Sequence, residues 1–336
     1  MTVRLISIVV PMLNEAGHIG RLVTDIAAQD FEGDVEMLVA DGGSTDGSPA
    51  EMREAADRCG VAVTMLDNPA GWVSQGLNAC IRRAAGDLIV RLDCHSNYPR
   101  DYLRRLAVVA EETGAWNVGG IVVPEGSTRT ERAVACAMDS PFGGIGWTRK
   151  AASGDRVEVD TVTFGAFRPD AFTRAGLYDE ALARNQDDEL NLRIRRAGGK
   201  IVMDPAITVS YTPRGSYRKV LRQYYEYGFW KVPVMRKHGQ VLSARSLAPV
   251  ALVGSVAGLA AASLALPAAR WALAAELALY GSLALASGVA SARGRGEPLR
   301  LVPRVLAAYP AFHVGYGAGM VGGLLRSLGR RAARDA

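Results

Sequence analysis

"LISIVVPMLNE", residues 5–15, decides the fold. Apart from Ser7 its first eight positions are apolar, as a strand covered on both faces requires, and the run ends in Pro11, Asn14 and Glu15. Outward from it, "HIGRLVTDIAAQ" (18–29) sets Ile19, Leu22, Val23, Ile26 and Ala27 at helical spacing. "VEMLVADGGSTDGS" (35–48) predicts a second strand running into a Gly/Ser/Asp turn. A helix over Pro49–Cys59, a strand over Val61–Leu66, a helix over Ser74–Ala85 and a strand over 87–92 continue the alternation. Such alternation predicts a parallel α/β sheet with right-handed crossovers, and ligands in such sheets bind beyond the carboxyl ends of the strands. Pro11–Glu15, Asp41–Gly47 and Asp93–His95 each follow a strand, which places three polar clusters on one rim.

Each cluster has its own chemistry. In "DGGSTDG" (41–47) Gly43 and its neighbours allow a tight turn and close backbone approach. Asp41 there either accepts hydrogen bonds from a base or ribose or closes an Asx turn. In "DCH" (93–95) the acid and the imidazole stand two residues apart. Extended geometry would turn both toward one diphosphate-bound cation, with Mg²⁺ or Mn²⁺ as the expected metal. Further on, "NQDDELNLRIRRAGGK" (185–200) predicts a helix with Asp187, Asp188 and Glu189 in its first turn, where acids also complement the helix dipole. "TVTFGAFRPDAF" (161–172) is a strand-to-turn element, and "ETGAWNVGGIVVP" (112–124) a further core strand with Trp116 as packing. Residues 125–158 show little periodicity and read as a long functional loop, with Trp147, Arg149 and Lys150 as unspecific sugar or phosphate contacts.

Together "VVPMLNE", "DGGSTDG", Asp93-x-His95 and "NQDDEL", in this order over roughly residues 5–230, resemble a family 2 inverting glycosyltransferase of the GT-A fold. The likeness is to the membrane-attached, succinoglycan-type (ExoA-like) exopolysaccharide branch. It implies a Rossmann-like, mostly parallel catalytic domain and a hexosyltransferase using a nucleotide-diphosphate sugar, UDP-glucose or similar. Asp41 matches the nucleoside-contacting Asp, Asp93 the metal-ligating Asp and Asp187 the catalytic base, with Asp188 as runner-up. The implied donor side comprises Pro11, Asn14, Glu15, Asp41, Gly43, Asp46 and Asp93; Asp93 and His95 would hold the metal. Gly165 and Ala166 match the acceptor-side segment, or form a small-residue packing point. His95 stands where many members carry a second Asp, and Gln186 where Glu usually precedes the base. Inverting transfer needs such a carboxylate to take the acceptor's proton while a metal neutralises the leaving diphosphate.

The chain has 336 residues, 49% hydrophobic, and a formal net charge of +5. Its composition shifts near residue 240: the first part carries charge throughout, whereas 246–325 is rich in Ala, Leu, Gly and Val. The basic residues cluster beside the apolar segments, which fits membrane flanks rather than nucleic acid. Four cysteines without a CxxC spacing fit a reducing compartment, and the N-terminal apolar run, broken by Pro11, reads as a strand rather than a leader.

The expected division is a GT-A domain over 1–213, a basic and aromatic interfacial helix over 214–240 and a transmembrane region over 241–336. Its apolar segments are 246–266, 271–291 and 305–325. Glu276 is expected to face a neighbouring helix, and Gly315, Gly319 and Gly323 to form a close-packing face. Positive charge at 293–304 and in the tail favours two crossings plus a re-entrant or interfacial third segment, with the catalytic domain on the cytoplasmic side of the cell membrane. The expected partners are the sugar nucleotide, a polyprenyl-diphosphate-linked or glycan acceptor, and the bilayer. A nucleotidyltransferase would need a cationic loop after the first strand, where "PMLNEAGHIG" (11–20) is acidic. A silent UDP-binding scaffold would have no need of Asp41, Asp93 and Asp187 together.

Overall fold

A computed structural model describes residues 2–144, 154–241 and 244–332. Trp147, Arg149 and Lys150 lie outside the described residues. The chain forms two compact units, Met1–Val123 with Arg149–Tyr211, and Pro124–Thr148 with Thr212–Ala336.

The first unit is built on one mixed sheet. β1 (Leu5–Met12), β2 (Asp34–Asp41), β3 (Val63–Asp67) and β4 (Leu88–Arg91) run parallel in the order β3-β2-β1-β4. α1 (Ile19–Ala27), α2 (Ser48–Cys59) and α3 (Val73–Arg83) connect them. The alternating strand-and-helix pattern predicted from the sequence is therefore present. The far half is antiparallel: β8 (Ala166–Phe167) lies between β4 and β6 (Asn117–Pro124), and β9 (Ile201–Tyr211) pairs with β5 (Ser96–Asn97) and β7 (Val157–Glu158).

Both faces of β1 are covered. Ile6, Ile8 and Val10 join a cluster with Ile19, Leu22 and Val23 of α1 and with Leu103 and Leu106 of α4 (Tyr102–Thr113). Val9 faces the other way, toward Leu77 and Ile81. Burying each such side chain contributes about 1.5–3 kcal/mol, and the one polar residue in the run, Ser7, is buried with its hydroxyl hydrogen-bonded to Glu36 and the Gly86 N–H. The strand order reverses between β1 and β4, which puts the crevice at their carboxyl ends.

One expectation is corrected. Within the stretch read as a long loop, Arg129–Asp139 is a helix, α5, started by a capping box in which Thr128 and Glu131 satisfy each other's backbone N–H groups. It packs in the second unit. Arg132 pairs with Glu297, Arg295 reaches Asp139 at 3.2 Å and the Pro124 carbonyl at 2.7 Å, and Ser291 donates to the Cys136 carbonyl at 2.6 Å. The second unit thus takes in residues 124–148, which the sequence reading had placed in the catalytic domain.

α6 (Pro169–Ala175) and α7 (Gln186–Arg196) complete the first unit, and α8 (Tyr217–His238), α9 (Ala248–Ala262), α10 (Pro267–Gly294) and α11 (Val302–Ala332) the second. Among the described residues two stretches are long and apolar enough to cross a membrane, Ala244–Ala262 and Pro267–Gly294. α9 buries no residue, and Leu264 and Trp271 at the hairpin tip are 84% and 79% exposed, unlike a hairpin cored in a soluble protein. Glu276 accepts from Ser255 of α9 at 2.5 Å, so it faces a neighbouring helix.

α11 is long enough but is not among these two stretches; its glycines instead receive α8. Gly315 abuts the Leu221 carbonyl, Gly319 that of Tyr225 and Gly323 that of Phe229, so the two helices run in the same direction in close contact. A Cβ at 319 would strike the Tyr225 carbonyl, whereas one at Gly254 of α9 would meet nothing within 4 Å. Gly319→Ala is expected to lower the thermal midpoint in detergent, by an overpacking cost of about 1–3 kcal/mol, while Gly254→Ala leaves it level or slightly higher. Thermal unfolding of the two variants side by side checks this.

Candidate active site

Two loops on the rim are laced together backbone to side chain. The Asn14 N–H donates to Ser44 Oγ (2.9 Å), the Asn14 Oδ1 accepts from the Thr45 N–H (2.9 Å) and the Glu15 N–H donates to Ser48 Oγ (2.7 Å). Asp46 Oδ2 accepts from the Ala16 N–H at 2.9 Å, and its Oδ1 takes both the N–H (3.1 Å) and the hydroxyl of Ser48. Glu51 accepts from the N–H groups of Gly17 and Gly20, fixing the start of α1. Positive φ at Asn14 (55°), Gly43 (86°) and Gly47 (91°) bends the chain into this arrangement, which Asn tolerates and Gly favours. Asn14 and Asp46 thus hold loops, and Pro11 stays in β1 opposite Ala40 of β2.

Asp41 ends β2 in register with Met12 of β1 and Asp67 of β3. Its Oδ1 takes the N–H (3.1 Å) and hydroxyl (2.6 Å) of Ser44, an Asx turn, while its Oδ2 takes no hydrogen bond among the described residues. The Asx-turn reading of Asp41 is therefore present, formed through one of its two oxygens. Asp67, in register on β3, is a second acid on this rim that the sequence reading missed; its place after a short strand was the available signal.

Asp93 and His95 do not point the same way. Cys94 and His95 sit in a turn rather than an extended segment, so the expected i, i+2 alignment fails. The His95 N–H closes onto Asp93 Oδ1 at 3.0 Å; its ring turns to Glu15, with Nε2 3.1 Å from Oε2, and meets His18 at 4.5 Å between centroids. Among the described residues no three His, Cys, Asp or Glu side chains converge as a metal cage. Burial, then the charges of Glu15 and Asp93, push the Cys94 thiol far up. What fits a hard divalent cation is the Asp93 carboxylate together with substrate phosphates.

Asp187, in the first turn of α7, forms an ion pair with Arg91, the last residue of β4. Because Arg91 and Asp93 are two residues apart, this pair brings the α7 acid to the β4 rim. Burial is the largest single influence and acts to lower the Arg91 pKa, but the Asp187 charge and hydrogen bond, with Tyr178 and Asp93, together outweigh it and hold the guanidinium more strongly protonated. Asp188 is half-buried beside it, and Glu189, fully buried, is tied to Arg193 at 2.7 Å. Arg91 was missed from sequence, although a lone cation inside "LIVRL" (88–92) was the visible anomaly.

Gly165 and Ala166 resolve as packing. Ala166 is 1% exposed in β8 between β4 and β6, and a Cβ at Gly165 would run into the Asn117 side chain, itself hydrogen-bonded to Asn191 at 2.7 Å.

A parallel nucleotide-binding half-sheet with antiparallel additions and a rim of separated acids defines a sugar-nucleotide transferase of the GT-A fold. Residues 7–176 match the family described as Glycosyl transferase family 2, and the chain belongs to that family as a glycosyltransferase. It is 32% identical over 318 residues to the "Succinoglycan biosynthesis protein ExoA" of Rhizobium meliloti (strain 1021), covering 93% of this chain and 92% of that protein. It is 25% identical over 240 residues to a Methanococcus voltae dolichyl N-acetyl-alpha-D-glucosaminyl phosphate 3-beta-D-2,3-diacetamido-2,3-dideoxy-beta-D-glucuronosyltransferase (69% of this chain, 74% of that one). Among solved structures, "Mannosyltransferase PcManGT from Pyrobaculum calidifontis in complex with GDP-Man and Mn2+" superposes with a TM-score of 0.66 at 22% identity, over 97% of this chain and 88% of that one. That likeness establishes the fold.

Hydrogen bonds from Ser48 first, then from the Ala16 N–H, hold the Asp46 carboxyl below its ordinary 3.8. A carboxyl lowered in the fold stabilises fully above its unfolded value and loses that contribution as pH falls through the lowered one. Wild type is therefore expected to be more stable than Asp46→Asn at neutral pH, and the two to converge as pH drops from about 4 toward 2. Thermal midpoints across that range test the sign.

Proposed function

We propose that this chain is a membrane-attached inverting glycosyltransferase. It moves a sugar from a nucleotide-diphosphate donor, UDP-glucose or a close relative, to a lipid-linked or growing glycan acceptor in exopolysaccharide or cell-surface glycan synthesis. The observation that carries this is the Arg91–Asp187 contact, which brings a helix-borne carboxylate to the strand rim where Asp93 and Asp41 stand. Asp41 receives the nucleoside through its Oδ2, with Gly43 letting the backbone close in and Glu15 bordering the pocket beside His95. Asp187 takes the proton from the acceptor hydroxyl as that oxygen attacks the anomeric carbon from the face opposite the diphosphate. Asp188, next along the helix, is the alternative base. A Mg²⁺ or Mn²⁺ ion, held by Asp93 and the donor's own phosphates, would neutralise the charge of the departing nucleoside diphosphate. His95, engaged with Glu15, is left out of the ligand set.

The name of the succinoglycan relative supports an exopolysaccharide product. A lipid-linked acceptor is supported by relatives named undecaprenyl-phosphate 4-deoxy-4-formamido-L-arabinose transferase, such as that of Edwardsiella ictaluri (strain 93-146), 33% identical over 115 residues. Those span 33% of this chain and 35% of that one. The cell membrane is the proposed location, crossed twice by the α9–α10 hairpin. Arg245 before it and Arg293, Arg295, Arg300 and Arg304 after it favour a cytoplasmic site for both ends, and with them for the catalytic domain. α11 then lies along α8, whose Lys, Arg, Tyr and Trp residues suit the headgroup level.

The deciding assay uses the purified full chain in detergent with Mg²⁺ or Mn²⁺, a panel of labelled UDP- and GDP-sugars and a polyprenyl-diphosphate-linked monosaccharide. Sugar transfer is expected with at least one donor, and Asp187→Asn is expected to lower kcat by about 10²–10⁴-fold. Asp188→Asn should stay within about threefold of wild type. Transfer by Asp187→Asn at the wild-type rate, or none by the wild type with any donor, would sink the assignment.

A further inference from the structure

We propose that Arg91 is a positioning residue for transfer: its guanidinium, planted in the sheet, fixes the Asp187 carboxylate in the orientation that receives the acceptor's proton. The inference rests on the reading of Asp187 as the base and adds the group that makes it effective.

Arg91 is an unusual residue for its place. β4 is a four-residue strand whose other members, Leu88, Ile89 and Val90, are buried in the two apolar clusters. Its backbone is held from both sides, paired with Val9 of β1 and donating its N–H to the Gly165 carbonyl at 3.1 Å. A cation set in such a frame cannot wander, and its side chain is 13% exposed. Burying an unpaired guanidinium is strongly unfavourable, so the position is tenable only with a matching anion, and Asp187 is that anion.

The contact is one-sided in a way that suits a base. Guanidinium Nη1 meets Asp187 Oδ1, and the Tyr178 hydroxyl stands close to the same carboxylate. One oxygen is anchored by the guanidinium, and the other is the one an attacking hydroxyl would meet. An aspartate in the first turn of a helix would otherwise choose among staggered rotamers, and the ion pair with Arg91 selects among them.

Tyr178 closes the far side. Its buried hydroxyl lies near enough to feel both charges, while Arg91 Nε, also buried, has no hydrogen-bond partner among the described residues. Tyr178 is itself clamped by Asn78, whose Oδ1 accepts from the Tyr178 N–H and whose Nδ2 donates to its carbonyl, both at 2.9 Å. The pair thus has a rigid backing from α3 through Tyr178, and a guanidinium spent on Asp187 and sealed at Nε is poorly placed to bind the donor's phosphates.

The test uses the full chain in detergent with Mn²⁺, the donor found active in the panel above and the same polyprenyl-diphosphate-linked monosaccharide. Arg91→Lys keeps the charge but not the planar fork; Arg91→Met and Arg91→Ala remove both. Arg91→Met is expected to lower kcat by about 100-fold with the donor KM within about threefold, because a carboxylate displaced by an ångström loses that much rate. Arg91→Lys should recover part of kcat at a near-wild-type thermal midpoint, and millimolar guanidinium should raise the rate of Arg91→Ala.

Two results overturn the proposal: Lys and Met variants turning over within about threefold of wild type, or a loss confined to donor KM. If Arg91→Met fails to fold, the Lys variant decides by the same criterion. Asp187→Asn runs alongside. If it stays active, or the wild type transfers nothing, the functional reading falls and takes this one with it; if it is dead while both Arg91 variants are fully active, only this inference falls.

Discussion

β1 is covered on both faces, and that constraint organises the first unit. A strand buried this way is apolar along its length apart from Ser7, whose hydroxyl is satisfied by Glu36 and the Gly86 N–H, so its chemistry is pushed to its carboxyl end. The same holds for β2 and β4, its neighbours on either side. Three chain exits then fall on one edge without any requirement that the functional residues be near in sequence. The reversal of strand order between β1 and β4 opens the gap into which those exits project. The rim is thus a consequence of core packing: it gathers Asn14, Asp41 and Asp93 because each lies at or just beyond the end of a buried strand.

Arg91 is the exception that this constraint makes visible. It is a charge placed one step before the exit, and the low-dielectric surroundings make its pairing with Asp187 obligatory rather than incidental. That pairing fixes where α7 begins relative to the sheet, across a separation of 96 residues. The acids in the first turn of α7 have a general reason to be there, since they complement the helix dipole. Asp187 adds a specific one in Arg91, as Glu189 does in Arg193.

What the sequence made legible follows the range of the interactions involved. β1 to β4 and their helices were readable because periodicity and burial are local signals. The antiparallel half was not: β5, β7 and β8 are two residues long and exist only because distant partners pair with them, so no run of residues announces them. α5 was overlooked because its flanks are rich in Gly and Ser and its own residues are small, although Thr128 and Glu131 spelled out a capping box. His95 was misplaced by assuming an extended backbone at 93–95, where a turn in fact swings its ring to Glu15. In the second unit the glycine spacing at 315, 319 and 323 was legible as a packing face. Its partner was not, since α8 displays basic and aromatic residues that speak equally of a membrane surface.

The rim also shows why a turn residue and a ligand residue need not be alternatives. A carboxylate has two oxygens, and an Asx turn occupies one of them. Asp46 uses both on Ser48 and Ala16 and is fully engaged in holding the loops. Asp41 is held through Oδ1 by the Ser44 N–H and hydroxyl. Asp187 is held through Oδ1 by a guanidinium in place of a turn. In each of these two acids the structural contact removes rotamer freedom from the carboxylate, so a ligand meeting it under the proposed function would face a smaller ordering cost.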